Sequence, residues 1–376
     1  MVKLLSVFNN KGGVGKTTLS FHLAHALAEL GHKVLAVDLD PQCNLSIYSL
    51  TIEQIQDIWD EENKFIEDPG FEAARKLVGD SEMENICSEP RSIHFLLKSA
   101  EEGTGELAQL PPPIEISNNL HLIPGRLTLH MYEEALSRRW SEAFVGQPLA
   151  IRTLSEIRRL VLQYAEIYGY DYAIIDTSPS LGQLNKTILT TVDAFLIPCA
   201  PDLFSLYGIR NIGASLGRWR DEFKTLYKLI PPGRRPYMPA NFVGFIGYTI
   251  YNAKKRESST KLDMAIAHYD YAKQVPRDIA AFIPRALSEG LPLLRLKTSI
   301  GKLAVMHTHN TYPAHAQKYH VPMWRLPSLG QLGHLDHGDA ATVMTNKKRY
   351  TATREAYHNF AKDVIDRLNA LKPEVI

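Results

Sequence analysis

Cysteine is scarce in this chain: Cys43, Cys87 and Cys199 are the only three in 376 residues, and no two form a CxxC pair. That excludes a disulfide framework or a dedicated zinc cluster and fits a reducing compartment. A run of about 18 apolar residues, the length a membrane-spanning helix needs, is also missing. The apolar start at Met1 to Phe8 stops at Asn9, Asn10 and Lys11, too short for a signal-peptide core, so a soluble cytoplasmic protein is expected. Net charge is nearly absent, with 42 Lys and Arg against 41 Asp and Glu, and as an average it singles out no partner. With 45% hydrophobic and 22% charged residues, the composition is that of a globular chain and excludes disordered, collagen-like and coiled-coil classes.

What is present begins with a phosphate-binding pattern. Leu4 to Phe8 reads as a buried strand and runs into Asn9-Asn10-Lys11-Gly12-Gly13-Val14-Gly15-Lys16-Thr17-Thr18. Leu19, Leu23, Ala26, Leu27 and Leu30 then recur at helical spacing, with Gly31 placed to end the helix. Strand, glycine loop and helix bring backbone N–H groups and a helix N-terminus together on an anion. Lys16 is placed to reach the β and γ phosphates and Thr17 to ligate Mg²⁺.

A strict GxxxxGK[ST] pattern fails, because position 10 is Asn. Lys-Gly-Gly-Val-Gly-Lys-Thr-Thr instead resembles the deviant Walker A loop of the ParA/MinD group of ATPases. The resemblance makes Lys11 the signature lysine that contacts the nucleotide of a partner subunit. It makes Gly12, Gly13, Val14, Gly15, Lys16, Thr17 and Thr18 the phosphate cradle. Lys33 to Gln42 reads as a second buried strand, and its Asp38-Leu39-Asp40-Pro41-Gln42 end resembles the family's switch I. On that likeness Asp40 orients the attacking water and Asp38 supports it near the metal. Tyr170 to Ser180 resembles Walker B and switch II, with Ser178 in place of a proline, so that Asp176 holds Mg²⁺ through a water. Ala194 to Pro198 is a fourth buried strand. The architecture implied is α/β: a doubly wound, mostly parallel sheet with helices on both faces, a P-loop NTPase binding nucleotide at the carboxyl ends of its strands.

Ala281-Phe282-Ile283-Pro284-Arg285 resembles the segment whose backbone lies near the adenine, so Pro284 and Arg285 are candidate base contacts; a strand-end turn is the plain alternative. Tyr357, Phe360, Ala361, Val364, Ile365 and Leu368 resemble the family's terminal helix, expected over 350–371.

Two stretches depart from the family, so the chain reads as one ParA-like domain over 1–376 carrying two insertions. Residues 51–106 hold 15 acidic residues and a net charge of −10, read as a helical cap over the nucleotide cleft or as a face that steers a basic partner. Residues 298–349 hold six of the fourteen histidines: His307, His309, His315, His320, His334 and His337. They lack the tight pairing of a zinc site, and a partner-binding or dimer-stabilising insertion is the favoured reading. Between 210 and 261 the balance reverses to +8. Arg210, Arg218, Arg220 and Lys224 fall on the helix after the fourth strand, where ParA proteins gather DNA-binding cations; a solvated helix surface is the alternative.

The expected protein is a ParA-like ATPase that uses ATP and Mg²⁺, forms an ATP-dependent homodimer and binds DNA without sequence preference. With an adaptor or ParB-like partner it would position plasmid, chromosome or other cargo, in the cytoplasm and on the nucleoid. No helix-turn-helix segment precedes the first strand. Two rivals remain. One is a regulatory ATPase subunit of a defence or secretion assembly. The other is a MinD-like membrane switch, which needs a C-terminal amphipathic helix where this chain ends Leu371-Lys372-Pro373-Glu374-Val375-Ile376.

Overall fold

A computed structural model describes residues 1–67, 70–235, 237–253, 266–301, 306–307, 311–372 and 374–376. Among the described residues, eight strands form one sheet: β1 (Lys3–Val7), β2 (Val34–Leu39), β3 (Ile114–Ser117), β4 (Leu120–Ile123), β5 (Tyr172–Thr177), β6 (Ala194–Cys199), β7 (Gly244–Ala253) and β8 (Met306–His307). Their spatial order is β3-β4-β2-β5-β1-β6-β7-β8. Among these strands β3 alone runs antiparallel to its neighbour. Strands β2, β5 and β6 are buried at every residue, as a parallel sheet covered on both faces requires.

Successive side chains alternate between the two faces. Leu4, Leu35, Val37 and Ile175 enter a core shared with the helices Leu129–Phe144, Pro148–Tyr168, Gln183–Thr191 and Leu203–Leu229. Leu5, Val34, Ala36 and Ile174 enter a second core under the helices Lys16–Glu29 and Lys347–Ala370. The doubly wound, mostly parallel architecture expected from the sequence is therefore present.

The segment 51–106 is helical: Ile52–Ile66, Phe71–Cys87 and Ile93–Glu102. A Thr51–Gln54 capping box starts the first helix, and Ser92 caps the third by accepting the Phe95 amide. Its interior is largely aromatic: Phe65, Phe71 and Phe95 pack edge to face and join the first core. The described part of 298–349 forms the helices Thr311–Lys318, Leu326–Gln331 and His337–Thr345. Tyr312, Trp324, Leu326 and Val343 pack into the second core.

Two local expectations are corrected. Residues 281–285 end no strand; they close the helix Val275–Phe282 and enter a 3₁₀ turn at Arg285–Ser288. The terminal helix begins at Lys347 rather than 350, because the polar first turn carries no apolar periodicity to mark it.

Candidate nucleotide site

The loop after β1 is fixed at both ends. Asn9 donates from Nδ2 to the Pro198 carbonyl at 2.7 Å and accepts the Lys11 amide at 3.0 Å, while Val14 is fully buried. Between these anchors Gly12 and Gly13 are exposed, and a Cβ on either would meet nothing within 4 Å. The loop is thus an open cradle of backbone. Gly15 closes it at φ 81°, and a Cβ there would lie 2.2 Å from the Tyr251 ring. Glycine is required for the left-handed turn and for the approach to the aromatic beneath it.

At the helix start the side chains converge. The Thr17 hydroxyl donates to Asp176 Oδ2 at 2.8 Å, and Ser20, one turn on, donates to Asp176 Oδ1 at 2.8 Å. Lys16 is buried and donates from Nζ to the Lys11 carbonyl at 3.2 Å. Burial lowers its pKa, opposed by the charges of Asp176 and Asp40. Burial pushes the Asp176 carboxyl up to about 6, against the Thr17 and Ser20 hydroxyls and Lys16.

Asp38 lies opposite Asp176 in the parallel β2–β5 register. Burial first, then the Asp176 charge, pushes its carboxyl up to about 7. Its oxygens are taken by the protein: Oδ1 accepts the Asp40 amide at 3.2 Å, and Oδ2 accepts the Ser46 amide at 2.8 Å and hydroxyl at 2.7 Å. Asp40 lies just past the strand, buried, with Oδ1 accepting the Gln42 amide at 2.9 Å. Asp38 therefore shapes the loop that carries Asp40. Asp176 with the Thr17 hydroxyl, and Lys16 beside it, could take a divalent cation and a polyphosphate, the cation lowering the repulsion that the protein alone leaves. Thr17 and Asp176 are the side chains that could hold the cation.

Lys11 is half-buried and ion-paired to Asp202, the residue that caps the helix Leu203–Leu229 by accepting the Ser205 amide at 2.9 Å. Its ammonium also lies 5.8 Å from the ring centre of Phe204. Thr18 is tied inward, its carbonyl accepting from His22 Nδ1 at 2.6 Å.

The remaining candidates are not drawn into this cluster. Arg285 closes its own turn, donating to the Ser288 and Leu291 carbonyls at 2.5 and 2.6 Å, and Pro284 opens that turn. Arg210 pairs with Asp278 at 3.5 Å and stacks near Tyr207 and Phe282. Arg220 and Lys224 both grip Glu374, at 2.5 and 2.7 Å. Exposed Arg218 touches the Ser215 hydroxyl at 3.4 Å. Lys254, Lys255, Arg256 and Lys261, like the side chain of His307 and all of His309, lie outside the described residues. Among the described residues, no group of three or more His, Cys, Asp or Glu side chains forms a metal-holding cluster, and none of the helices is long and apolar enough to cross a membrane.

Sequence reasoning missed Ser20, Ser46, Asp202 and Tyr251. Ser20 was within reach, since it shares a helix face with Lys16 at i, i+4. Asp202 was too, standing as a cap between a strand and a helix. Ser46 and Tyr251 reach the site only through the tertiary fold.

A family model for the AAA domain matches residues 2–228, more than half of the chain. The sporulation initiation inhibitor protein Soj of Bacillus subtilis is 30% identical over 218 residues, covering 56% of this chain and 64% of Soj. A probable plasmid-partitioning protein ParA of Thermus thermophilus is 26% identical over 242 residues, covering 64% of this chain and 58% of that protein. The chain spans less than two thirds of the length of either relative. Among solved structures, pNOB8 ParA superposes with a TM-score of 0.58 at 18% identity, covering 98% of this chain and 99% of its own. The same protein bound to nonspecific DNA gives 0.50 at 17% identity, with 98% and 99% covered. At such identity these likenesses speak to the fold.

Proposed function

Because the chain belongs to the AAA-domain family, as a P-loop ATPase of the ParA/MinD type, we propose that it is an ATP-hydrolysing dimerisation switch that binds DNA without sequence preference. The observation that carries this reading is the convergence of Lys16, Thr17, Ser20 and Asp176 beneath an open glycine cradle.

In this reading the backbone of Gly12 to Gly15 receives the phosphates and Lys16 offsets their charge. Thr17 and Asp176 hold Mg²⁺, which when bound neutralises charge developing on the transferred phosphoryl group. Asp40 orients the attacking water, and Asp38 with Ser46 fixes the loop from which Asp40 acts. Lys11 reaches a second copy of the chain across the bound nucleotide, and for this its ion pair with Asp202 has to open. Slow hydrolysis then sets the lifetime of the dimer. The name of the Thermus relative and the DNA-bound form of pNOB8 ParA support plasmid partition or cargo positioning on DNA, with an adaptor protein as partner.

The test is light scattering and retention on DNA at low salt, with ATP and Mg²⁺, of the wild-type chain and the Lys16→Ala and Asp40→Ala variants. Lys16→Ala should lose nucleotide binding and dimer together. Asp40→Ala should keep the ATP-bound dimer and its DNA retention while phosphate release falls by about 10²-fold or more. A wild-type chain that stays monomeric and free of DNA with ATP refutes the switch.

A further inference from the structure

The cations assigned to DNA by position on the helix Leu203–Leu229 are largely used within the fold. Arg210, Arg220 and Lys224 face carboxylates. On the other side of the sheet the helix Lys347–Ala370 differs. From 347 to 362 it carries five cationic side chains, Lys347, Lys348, Arg349, Arg354 and Lys362, against the single carboxylate Glu355. Lys347, Lys348, Thr351, Glu355, Asn359 and Lys362 line one exposed surface. Their spacing of three and four residues is that of one helix face, about 22 Å long at 1.5 Å per residue.

Two features set this face apart from an ordinary solvated helix. Two of its cations, Lys347 and Lys348, occupy the first turn, which holds no acidic residue, where the helix dipole disfavours positive charge. The buried side of the same helix is built onto the phosphate-loop helix. Tyr357 stacks on His22 at 4.9 Å and hydrogen-bonds Tyr251, the ring under Gly15, at 2.8 Å. Arg354 and His358 hold Glu29, at the far end of the phosphate-loop helix, at 2.9 and 3.0 Å.

We infer that the exposed face bearing Lys347, Lys348 and Lys362 is the surface on which this chain holds the phosphate backbone of DNA. This rests on the DNA-binding part of the proposed function and relocates it, from the helix after β6 to the helix packed behind the nucleotide loop. Duplex DNA presents one negative charge per about 1.7 Å of its axis, so a rigid cationic face of this length meets several phosphates at once and reads no base sequence.

The test uses the full chain with ATP and Mg²⁺ and a fluorescent duplex of arbitrary sequence, titrated from about 50 to about 200 mM salt. The variants are Lys347→Gln/Lys348→Gln/Lys362→Gln and, as a comparison, Arg218→Gln, each checked by circular dichroism and by binding of a fluorescent ATP analogue. The triple variant should keep its fold and nucleotide, bind DNA at least about 10-fold more weakly, and lose about 2 to 3 from the slope of log affinity on log salt. Arg218→Gln should stay within about 2-fold of wild type, less than one lost phosphate contact costs at low salt. A folded triple variant with unchanged affinity and slope overturns the inference and leaves DNA binding itself standing. A wild-type chain that retains no DNA overturns both. Loss by the triple variant of sedimentation with phosphatidylglycerol vesicles, with DNA binding intact, overturns it in favour of a membrane surface.

Discussion

The two regions that enlarge this domain are joined to it in opposite ways. The acidic helices of 51–102 are anchored beside the nucleotide site by a cation, buried Arg126. It donates to the Trp59 carbonyl at 2.9 Å and to Asn63 at 2.5 Å, and lies 3.5 Å from buried Glu62. Glu62 in turn accepts the Ser92 amide and hydroxyl, each at 2.5 Å. The helices of 311–345 and the terminal helix meet on one anion, Glu29. It accepts from Trp324 at 2.9 Å and pairs with Arg325, Arg354 and His358. The first joint lies beside Asp38, because Trp59 donates to the Gly125 carbonyl at 3.0 Å and the Gly125 amide donates to Ser46 at 2.7 Å. The second lies at the far end of the phosphate-loop helix. An anion there opposes the helix dipole, and the guanidinium groups of Arg325 and Arg354 offset that cost. An acidic region thus hangs on a cation beside the nucleotide site, and a histidine-rich region on an anion at the opposite end of the phosphate-loop helix.

Removing the joints should separate them. Arg126→Ala leaves Glu62 fully buried without its cation and should cost about 3–5 kcal/mol, read from denaturant unfolding; a loss under about 1 kcal/mol would show that the aromatic interior alone holds 51–102. Glu29→Ala should cost about 1–3 kcal/mol, since Trp324 loses its acceptor and Arg325 and Arg354 their counter-charge. Hydrogen exchange should quicken over 311–345 and not over 52–102, and uniform quickening would merge the two joints into one. Acid should mimic the second change. Hydrogen bonds from Trp324, Arg354, His358 and Arg325 outweigh burial and hold the Glu29 carboxyl near 2. Because that pKa is depressed, the stabilisation is complete above the usual carboxylate value and is lost as pH falls through about 2, at a cost of order 1–2 kcal/mol for a group in partial contact with water. Exchange over 311–345 measured from pH 5 downward checks this. Smallest is Lys64→Ala, which removes an exposed pair with Glu82 at 3.0 Å and should change stability by less than about 0.5 kcal/mol.

What could be read from the sequence was what is local in it. Loop residues 11 to 18 stand in a row between a strand and a helix, and the carboxylates of β2 and β5 end apolar runs, so the cluster at the strand ends was legible. The ion pair of Lys11 with Asp202 joins residues 191 apart, and Glu29 meets partners 295 to 329 positions on; no spacing rule reaches that far. The charge of 51–106 was legible as composition, but the interior of Phe65, Phe71 and Phe95 was not, because burial depends on what packs against a helix. The cations of Arg220 and Lys224 were visible as positive charge, and their neutralisation by Glu374 was not.

One further consequence lies in the register that sets Asp38 beside Asp176. Neighbouring strands stand about 4.8 Å apart, and both residues sit inside fully buried strands, so the carboxylates cannot drift apart without moving a strand of the sheet. The backbone holds like charges at a fixed separation, as plates hold charge in a capacitor. A cation held at Asp176 would offset that repulsion, and the gain would be felt through the sheet rather than at the loop alone. Nucleotide with its metal should therefore raise the melting temperature of the whole domain, and the Asp38→Asn chain should start from a higher melting temperature and rise less.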